Sequence, residues 1–513
     1  MTIAISSVAI DVITFAPAAN FYIDNALEAL QSMMTLEGVI FLVLGTVLGL
    51  IFGVLPGLGG AVALALLIPL TFGVDSHLAF IMMSSAIGGS AFGGSVSAIL
   101  LNIPGTAPNA ATLLDGYPLA RQGQANYALG ASATASAGGA IIGLIFLVLS
   151  LPFIRSLLRL FGPTEFFALA VFGLLIIAFA TRGSLLNGLI GGCIGLLLAF
   201  VGFNPVTGGR RFTFDFLYLY DGVQLLTVII GVFAISEMLN LYAKGETISG
   251  KSIKTGGSVI DGVKSVFYNY GIFIRSSIVG VIIGMVPGAG GTVANFVAYV
   301  QAAQLSDNPE KFGTGDIRGV IASEASNDAK DGGSVIPTIG FGIPGSASWA
   351  VMLGAFLLHG IMPGPQLMSE HLDIVFIIIF SLLFSNILTS LIGIALAEQL
   401  AKITLTPIEV LAPVIFIISL VAAYTLRFNI YDMVAATIFG IFGFVMIIYG
   451  ISRIALIIGL VLGPIAEESF HQALQIGRGS YSIFYTRPIA MAIFGLAILM
   501  LVYPVIRERF RPA

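Results

Sequence analysis

The stretch 53-GVLPGLGG-60 interrupts an apolar run, and it recurs as 284-GMVPGAGG-291 inside a second apolar run. Proline removes a backbone N–H and clashes with the preceding helical turn, while glycine permits unwound backbone. Non-helical backbone at membrane depth persists only where protein covers it or where it lines a wet cavity. Matched breaks in two halves of a repeat are typical of a transporter binding site, although kinks or small-residue packing contacts are the alternative. The residues predicted to form that site from these two loops are Pro56, Gly57, Gly59, Pro287, Gly288 and Gly290.

Three further blocks of the first half recur in the same order in the second half. They are 93-GGSVSAILLNIPGTA-107 with 332-GGSVIPTIGFGIPGSA-347, 115-DGYPL-119 with 359-HGIMP-363, and 163-PTE-165 with 407-PIE-409. The first of these matches needs one inserted residue, as a change of loop length would produce. Four blocks in one order indicate an internal duplication of the chain.

The composition places most of this duplicated chain in lipid. Its 513 residues are 57% hydrophobic and 9% charged, with a mean hydropathy of +1.03, whereas a soluble domain carries about 25% charged residues. A spanning helix needs about 20 apolar residues, and eight runs reach or approach that length: 38–55, 140–154, 166–180, 184–203, 223–240, 373–397, 410–424 and 433–450. With the broken segments added, we expect roughly a dozen crossings. The predicted fold is an all-α polytopic membrane protein, because uniform helix-length runs do not fit the short alternating strands of a β-barrel.

Positive charge predicts the orientation of the chain. Residues 1–37 contain no Lys or Arg, and we see no cleaved signal peptide there because no basic stretch precedes the first apolar run. The basic residues of the middle stretch and the tail are Lys244, Lys251, Lys254, Lys264, Arg275, Arg507, Arg509 and Arg511. The positive-inside rule therefore puts the N-terminus in the periplasm and the middle loop and C-terminus in the cytoplasm.

This orientation requires an odd number of crossings in the first half, so the second copy must be inverted, a common architecture of secondary transporters. One additional apolar segment near the C-terminus, 488–506, then returns the tail to the cytoplasm. The predicted units are a periplasmic segment 1–36, a first membrane repeat 37–243, a cytoplasmic linker 244–270, a second membrane repeat 271–486 and an extra C-terminal helix with its tail 487–513.

A second pair of breaks, 102-NIPGT-106 and 342-GIPGS-346, follows a Gly-Gly-Ser segment in each half. We interpret each region as a re-entrant hairpin. Free N–H groups at half-helix N-termini bind anions, and the helix dipole adds partial positive charge there. A carboxylate therefore fits such a site, although helix–helix hydrogen bonding is the alternative for each isolated Ser or Thr. The substrate-binding residues predicted from this second pair are Ser95, Asn102, Gly105, Thr106, Ser334, Gly345 and Ser346.

The charged stretch 324-EASNDAKD-331 leads into the second hairpin, after a polar loop at 305–318. If buried, it is a proton or sodium relay or a substrate contact; if solvated, its charges are ordinary loop charges. We favour Asn327 because a neutral amide serves either an ion or a substrate. Asp328 and Asn295 complete the candidates for a coupling ion, and Na⁺ at the unwound loops is the expected metal if there is one.

Enzymatic and nucleotide-driven functions find little support in the sequence. The motif 313-GTGD-316 resembles the Gly-x-Gly-Asp of intramembrane aspartyl proteases, but Asp316 sits among charged loop residues rather than in an apolar segment. No zinc-type H-E-x-x-H, serine elbow or Walker loop is present, so we expect no enzyme activity, no cofactor and no ATP hydrolysis. A net charge of -4 without a basic stripe also predicts no nucleic-acid binding.

Four other residues have plain structural interpretations. Cys193 lies in an apolar run and is expected to pack in the core. His77 and His359 fall at segment ends, where interfacial capping is favoured over metal ligation. Trp349 either lines the site or anchors the chain at the membrane interface.

At these motifs the chain resembles the large membrane subunit of the tripartite tricarboxylate transporters, over nearly its whole length. The matching segments are 53-GVLPGLGG-60 with 67-LIPLTFG-73, 93-GGSVSAILLNIPGTA-107 with 115-DGYPLARQG-123, 284-GMVPGAGG-291, 342-GIPGSA-347 and 359-HGIMPGP-365. By family analogy, the resemblance implies a small membrane subunit of about four helices and a periplasmic solute-binding protein as partners. It also implies uptake across the bacterial inner membrane driven by a sodium or proton gradient, with citrate-like tricarboxylates, dicarboxylates or aromatic carboxylates as substrates.

The chain departs from the family pattern beside the predicted site. Ile87 and Gly88 stand where members often carry aromatic residues, and Asp328 replaces the second Asn of the usual Glu-Ala-Ala-Asn-Asn-Ala. Lys330 and Asp331 replace small or apolar residues. These changes leave the substrate open, and a stand-alone carrier or a channel without a binding protein remains the alternative function.

Overall fold

A computed structural model describes residues 15–180, 185–204, 207–244, 256–404 and 406–509. The first 14 residues, the part 245–255 of the predicted cytoplasmic linker with Lys251 and Lys254, and the tail residue Arg511 lie outside the described residues.

The described chain is almost entirely helical. In its first half the helices are α1 (Phe15–Met33), α2 (Leu36–Val54), α3 (Gly59–Leu67), α4 (Ser76–Leu101), α5 (Leu113–Arg121), α6 (Ala125–Leu158), α7 (Pro163–Ala180), α8 (Leu185–Ala199), α9 (Leu225–Ile229) and α10 (Ser236–Lys244). A π-helix, Ile230–Ile235, joins α9 to α10. Strands β1 (Gly202–Phe203) and β2 (Arg210–Arg211) form a small antiparallel hairpin.

The second half also has a helix before its Pro-Gly break, a helix after it and a long central helix, in the same order as the first half. Its helices are α11 (Val259–Tyr268), α12 (Tyr270–Gly284), α13 (Gly290–Gln304), α14 (Ile317–Phe341), α15 (Ala347–Leu358), α16 (Pro365–Glu370), α17 (Leu372–Ala395), α18 (Ala397–Thr404), α19 (Ile408–Thr425), α20 (Ile430–Ile448), α21 (Arg453–Ile476), α22 (Ile483–Thr486) and α23 (Pro488–Arg509). Short 3₁₀ turns cover Ile68–Thr71, Ala107–Ala110, Leu217–Leu219 and Pro309–Lys311.

The helices confirm an all-α polytopic membrane protein. Among the described residues, 8 helices are long and apolar enough to cross a membrane, or 9 if α11 and α12, which meet at 79°, form one bent span. Seven of the eight apolar runs identified in the sequence coincide with helices to within a few residues, and the eighth, 140–154, lies inside the longer α6. Five shorter apolar helices add further candidates, so the total of roughly a dozen crossings stays a prediction.

Two structural elements differ from the sequence reading. Helix α1 occupies the segment predicted to be a periplasmic extension, and it packs against α17. Helix α4 was not among the predicted spans, because its 26 residues are rich in serine and glycine. The most apolar part of this helix is entirely buried inside the protein. A helix surrounded by protein needs no continuous apolar face toward lipid, so hydropathy alone underestimates it.

Helices α4 and α14 form the buried centre of the molecule, and each packs closely on the helix before its own Pro-Gly break. Gly45, Gly49 and Gly53 of α2 lie against the backbone of α4 at successive turns. In the second repeat, Gly280 and Gly284 of α12 lie against the backbone of α14 in the same way. Small residues at such contacts let helix backbones approach closely, which is how membrane helices gain packing energy without a hydrophobic driving force.

Candidate functional site

The first pair of breaks is unwound as predicted. Helix α2 ends at Val54 and α3 begins at Gly59, while α12 ends at Gly284 and α13 begins at Gly290. At the centre of each gap, Gly57 has φ 81° and Gly288 has φ 73°. This left-handed conformation is readily adopted only by glycine, so the sequence requires glycine at both positions.

The second pair of breaks follows the two central helices. Asn102 caps α4 with φ 61°, and the equivalent Gly342 caps α14 with φ 66°. Just beyond, Gly105 lies against the carbonyl oxygen of Gly53, and Gly345 lies against that of Gly284; an added Cβ would collide at either position. In both repeats, therefore, the second break packs against the C-terminal end of the helix that precedes the first break. The segment after the second break differs from the predicted hairpin, because α15 packs mainly on α3 and α21 rather than back along α14.

The two repeats exchange contacts at these breaks. A side chain at Gly60 of the first repeat would meet Ser348 of the second, and a side chain at Gly291 of the second would meet Pro108 of the first. Reciprocal contacts between equivalent positions are the signature of a two-fold relation between the repeats. An inverted repeat requires this relation; its orientation across the bilayer stays a prediction.

One cavity of about 600 Å³ opens where the four breaks converge. Its wall includes the N-terminal residues of α3, α13 and α15. In the described part of the chain, none of these three helices has a side-chain cap on its first N–H groups. Uncapped N–H donors at three helix N-termini suit an anion.

Half of the sixteen residues singled out in the sequence line this cavity. They are Gly57, Gly59, Gly105, Thr106, Gly288, Gly290, Asn327 and Ser346. The other half do not line it: Pro56, Ser95, Asn102, Asn295, Pro287, Asp328, Ser334 and Gly345. Direct contact with a substrate in this cavity is therefore not expected for these eight, while Asp328 and Asn295 stay candidates for the coupling ion.

Three of the residues that do not line the cavity are buried and have structural partners instead. Ser95 donates a 2.7 Å hydrogen bond to Glu324, and Ser334 donates a 3.2 Å hydrogen bond to the carbonyl of Gly284. Asn295 donates to the carbonyl of Pro108 at 3.1 Å and accepts from Ser326 at 2.8 Å. These hydrogen bonds join the breaks to the central helices, so the residues position the cavity wall.

Two ion pairs line the cavity, and none of their four residues is among the site residues predicted from the repeated motifs. Lys330 Nζ lies 2.9 Å from Asp331 Oδ2, and Arg453 Nη1 lies 2.9 Å from Glu237 Oε2. Glu237 stands in the apolar run 223–240, and Arg453, the first residue of α21, follows shortly after the apolar run 433–450. A charged residue in an apolar run is by default a functional candidate, and this signal would have identified both.

Trp349 is fully buried and donates from its indole nitrogen to Asp331 Oδ1 at 3.2 Å. This contact excludes the interfacial-anchor interpretation of Trp349. The side chain instead orients the carboxylate of the cavity ion pair without lining the cavity itself.

The stretch 324-EASNDAKD-331 lies inside α14 and is buried, so the solvated-loop interpretation is wrong. The loop before it, 305–316, is polar as predicted. Glu324 accepts hydrogen bonds from Ser95 and Thr112, and Asp328 accepts one from Ser136. Burial follows from the position of α14 at the centre of the protein, which the apolar pattern of the sequence does not reveal.

Two atoms in this stretch are buried without a hydrogen-bond partner among the described residues: Asn327 Nδ2 and Asp328 Oδ1. Within the same residues, no group of three or more His, Cys, Asp or Glu side chains is arranged to hold a metal ion. An oxygen-rich environment of one carboxylate and serine hydroxyls suits a proton or a monovalent cation more than a transition metal.

The remaining predicted residues lie away from the cavity wall. Asp316 caps α14 and pairs with Arg318 at 2.6 Å, so the Gly-Thr-Gly-Asp motif is a helix cap. His77 pairs with Asp373 at 2.7 Å, and His359 lies 3.2 Å from the Thr71 hydroxyl. Cys193 is exposed rather than packed in the core, because neighbouring glycines of α8 occupy the face that packs on α21.

Comparison with known proteins adds three findings. The sequence model of the family described as "Tripartite tricarboxylate transporter TctA family" matches residues 39–458. An uncharacterized 52.8 kDa protein from the TAR-I ttuC' 3' region of Agrobacterium vitis is 34% identical over 491 residues, covering 95% of this chain and 97% of that protein. An uncharacterized protein from the TAR-II ttuC' 3' region of the same organism is 35% identical over 233 residues, 45% of this chain and 96% of its own length. No solved structure matches the chain.

Proposed function

This chain belongs to the tripartite tricarboxylate transporter TctA family, and we propose that it is the translocating subunit that binds a carboxylate substrate in the cavity between its two repeats. As a member of that family it is a multi-pass membrane transporter component. The proposal adds the site, the substrate class and the driving ion.

The observation that carries the proposal is the convergence of anion-binding groups from both repeats. The uncapped N-termini of α3, α13 and α15 face one cavity together with the cations Lys330 and Arg453. Helix N-termini and cationic side chains both stabilise a carboxylate, the more so where protein excludes water. A site shared by two repeats can open to either side as one repeat moves against the other.

The charges of the cavity wall give a reason for ion coupling. Lys330 and Arg453 are each paired with an acidic neighbour, Asp331 and Glu237, so the empty wall is close to neutral. An entering carboxylate makes the cavity negative, which is costly at low dielectric. A sodium ion or a proton entering with it offsets that charge. Asp328, with its unpartnered buried oxygen, is the strongest candidate to hold the ion, beside Asn327 and Asn295.

For the rest of the transport cycle we propose the arrangement that the family resemblance implies. A periplasmic solute-binding protein delivers the carboxylate, and a small membrane subunit of about four helices completes the complex in the bacterial inner membrane. The N-terminus faces the periplasm and the C-terminus the cytoplasm by the positive-inside rule.

Uptake into proteoliposomes tests this function. Vesicles containing this chain and the small membrane subunit are loaded with or without an inward sodium or proton gradient, and labelled citrate is offered with or without the binding protein. We expect uptake only with both the gradient and the binding protein. Uptake without the binding protein would instead support a stand-alone carrier, and passive flux down the citrate gradient would support a channel.

A further inference from the structure

Lys330 and Asp331 form the most buried ion pair on the cavity wall, with side chains 9% and 7% exposed. The methylene stem of Lys330 lies across Gly291 in the first turn of α13, where an added Cβ would collide with it. The absence of a side chain at position 291 therefore lets the ammonium group reach the cavity at a helix N-terminus. An ammonium placed there adds to the positive potential of the helix dipole.

The neighbouring Asn327 lies three residues before Lys330, on the same face of α14. Its Nδ2 is buried in the cavity wall and has no acceptor among the described residues. A buried donor without a partner costs free energy. A ligand that brings an acceptor oxygen to this amide would remove that cost. An ammonium and an amide donor about one helical turn apart on one face can donate to the two oxygens of one carboxylate.

Asp331 pairs with the Lys330 ammonium group in the empty protein, but Lys330 is not its only hydrogen-bond donor. Its Oδ2 contacts Lys330 at 2.9 Å, while its Oδ1 accepts from the buried indole of Trp349 at 3.2 Å. Asp331 therefore keeps one firm donor if the ammonium turns to another anion. The carboxylate of Asp331 has the same chemistry as the group that the cavity is proposed to bind.

We propose that Lys330 and Asn327 are the recognition pair for one substrate carboxylate and that Asp331 stands in for that carboxylate in the empty cavity. Binding then exchanges one carboxylate for another at Lys330, with no net change in the number of ion pairs. This inference rests on the proposed function, since it names residues of the same site.

The exchange predicts opposite effects for the two members of one ion pair. Citrate, succinate and benzoate are titrated into the full chain in lipid nanodiscs, and the dissociation constant is measured by calorimetry. Lys330→Gln should weaken binding by roughly tenfold or more, because a charge-assisted contact is lost. Asp331→Asn should tighten binding several-fold, because it removes the competing anion. Lys330→Arg should bind between the wild type and Lys330→Gln.

A purely structural ion pair predicts a different pattern. In that case Asp331→Asn weakens binding, and the double variant Lys330→Gln/Asp331→Asn, which leaves no unpaired buried charge, recovers it. Under the exchange, the double variant stays as weak as Lys330→Gln. Lys264→Gln, a change of an exposed lysine, is the charge-matched control, and thermal unfolding of each variant checks that it folds.

Two further results separate this inference from the proposed function. Wild-type protein that binds none of the three carboxylates would overturn both. Wild-type binding of citrate with weaker binding by Asp331→Asn would overturn the exchange alone. Trimethyl citrate, which lacks the charges, should not compete with citrate for the wild-type site.

Discussion

The carboxylate of Asp115 accepts a 2.8 Å hydrogen bond from the backbone N–H of Gly313 and so ties the first repeat to the loop that precedes the central helix of the second. The same carboxylate accepts from the N–H groups of Gly315 and Asp316 at 2.9 and 2.8 Å and from the Tyr299 hydroxyl at 2.8 Å. Asp115 is fully buried. It is one of the positions in the repeated block 115–119, and the loop it holds is the Gly-Thr-Gly-Asp segment.

Replacing Asp115 with Asn should destabilise the protein. The amide keeps the shape, and its one oxygen can still accept from the three backbone N–H groups, but the negative charge that strengthens those hydrogen bonds is lost. Its NH₂ group replaces the oxygen that accepts from the Tyr299 hydroxyl. We expect a loss of about 1–3 kcal/mol in the free energy of unfolding, measured by SDS titration of the purified protein. Asp261→Asn, an exposed aspartate, should have little effect. Equal stability of Asp115→Asn and the wild type would show that this tie contributes nothing.

A pH-dependent contribution is expected from Asp316 at the start of α14. Burial raises the pKa of Asp316, but hydrogen bonds from the side chain and backbone of Arg318 outweigh it and leave the pKa below its ordinary value. A depressed pKa means that the ionised group stabilises the folded state above its unfolded pKa, and that this stability is lost as pH falls through the folded pKa. Asp316→Asn, which keeps an N-cap side chain, should therefore cost about 1–2 kcal/mol at pH 7.

The same difference should shrink below about pH 4, where this carboxyl begins to protonate in the unfolded chain, and should be lost as the pH falls through the lower pKa of the folded protein. Thermal unfolding of both proteins across pH 3–7 measures this. Glu310→Gln, in the exposed part of the same loop, should show no such trend. A stability difference that stays constant down to the lowest pH would contradict the assignment to the Asp316 charge.

Much of this arrangement can be read from the sequence, for identifiable reasons. The breaks at Gly57 and Gly288 are local, because proline and glycine act on the backbone where they stand. Their meeting in one cavity could also be predicted, because a repeat places equivalent loops symmetrically. The pairing of Glu237 with Arg453 could not be predicted from the sequence, because the two residues are more than 200 positions apart and neither belongs to a repeated motif.

The burial of the central helices also could not be predicted from the sequence. Glu324 and Asp328 look like solvated loop charges because the polar loop 305–316 leads directly into them. Only the packing of α14 against α6 and α12 shows that both are inside the protein. The hydroxyl groups that donate hydrogen bonds to these carboxylates, those of Ser95 and Ser136, belong to other helices. Such complementarity between distant segments leaves no periodic signal in either one.

The two left-handed glycines should be essential for uptake but not for insertion. Leucine at position 57 or 288 cannot adopt the required φ without strain, and at position 57 it would also meet Glu237 and Leu241. We expect Gly57→Leu and Gly288→Leu to abolish citrate uptake at wild-type membrane levels. Gly73 has φ 76° with open space around it, so Gly73→Leu is a matched control for strain alone. Normal uptake by both site variants would refute the placement of the substrate at these loops.

Ion coupling should depend on Asp328. Its Oδ2 accepts a hydrogen bond from Ser136, while its Oδ1 is buried without a partner among the described residues. A buried carboxylate with so few donors is strongly disfavoured unless a proton or cation accompanies it. In Asp328→Asn we expect uptake to fall about tenfold or more and the remainder to be insensitive to sodium and to pH. Exposed Asp307→Asn is the control, and an Asp328→Asn protein that keeps the wild-type cation dependence would exclude this residue.

The reciprocal contact between the repeats can be tested by a disulfide. A Cβ at Gly60 would lie 3.0 Å from the Ser348 hydroxyl, so cysteines at both positions bring their sulfur atoms close together once the Ser90 hydroxyl, at 2.6 Å, rotates away. In a Cys193→Ser background, which removes the one native cysteine, Gly60→Cys/Ser348→Cys should form an intramolecular disulfide with mild oxidant. The bridge links α3 of one repeat to α15 of the other across the cavity wall, so it should stop uptake until a reductant is added. Gly60→Cys paired with Gly479→Cys, at an exposed turn outside the cavity, should neither cross-link nor respond to oxidant. Because the duplication predicts the same contact between positions 108 and 291, a failure of the first pair to cross-link would count against the two-fold arrangement of the breaks as well as against the cavity between them.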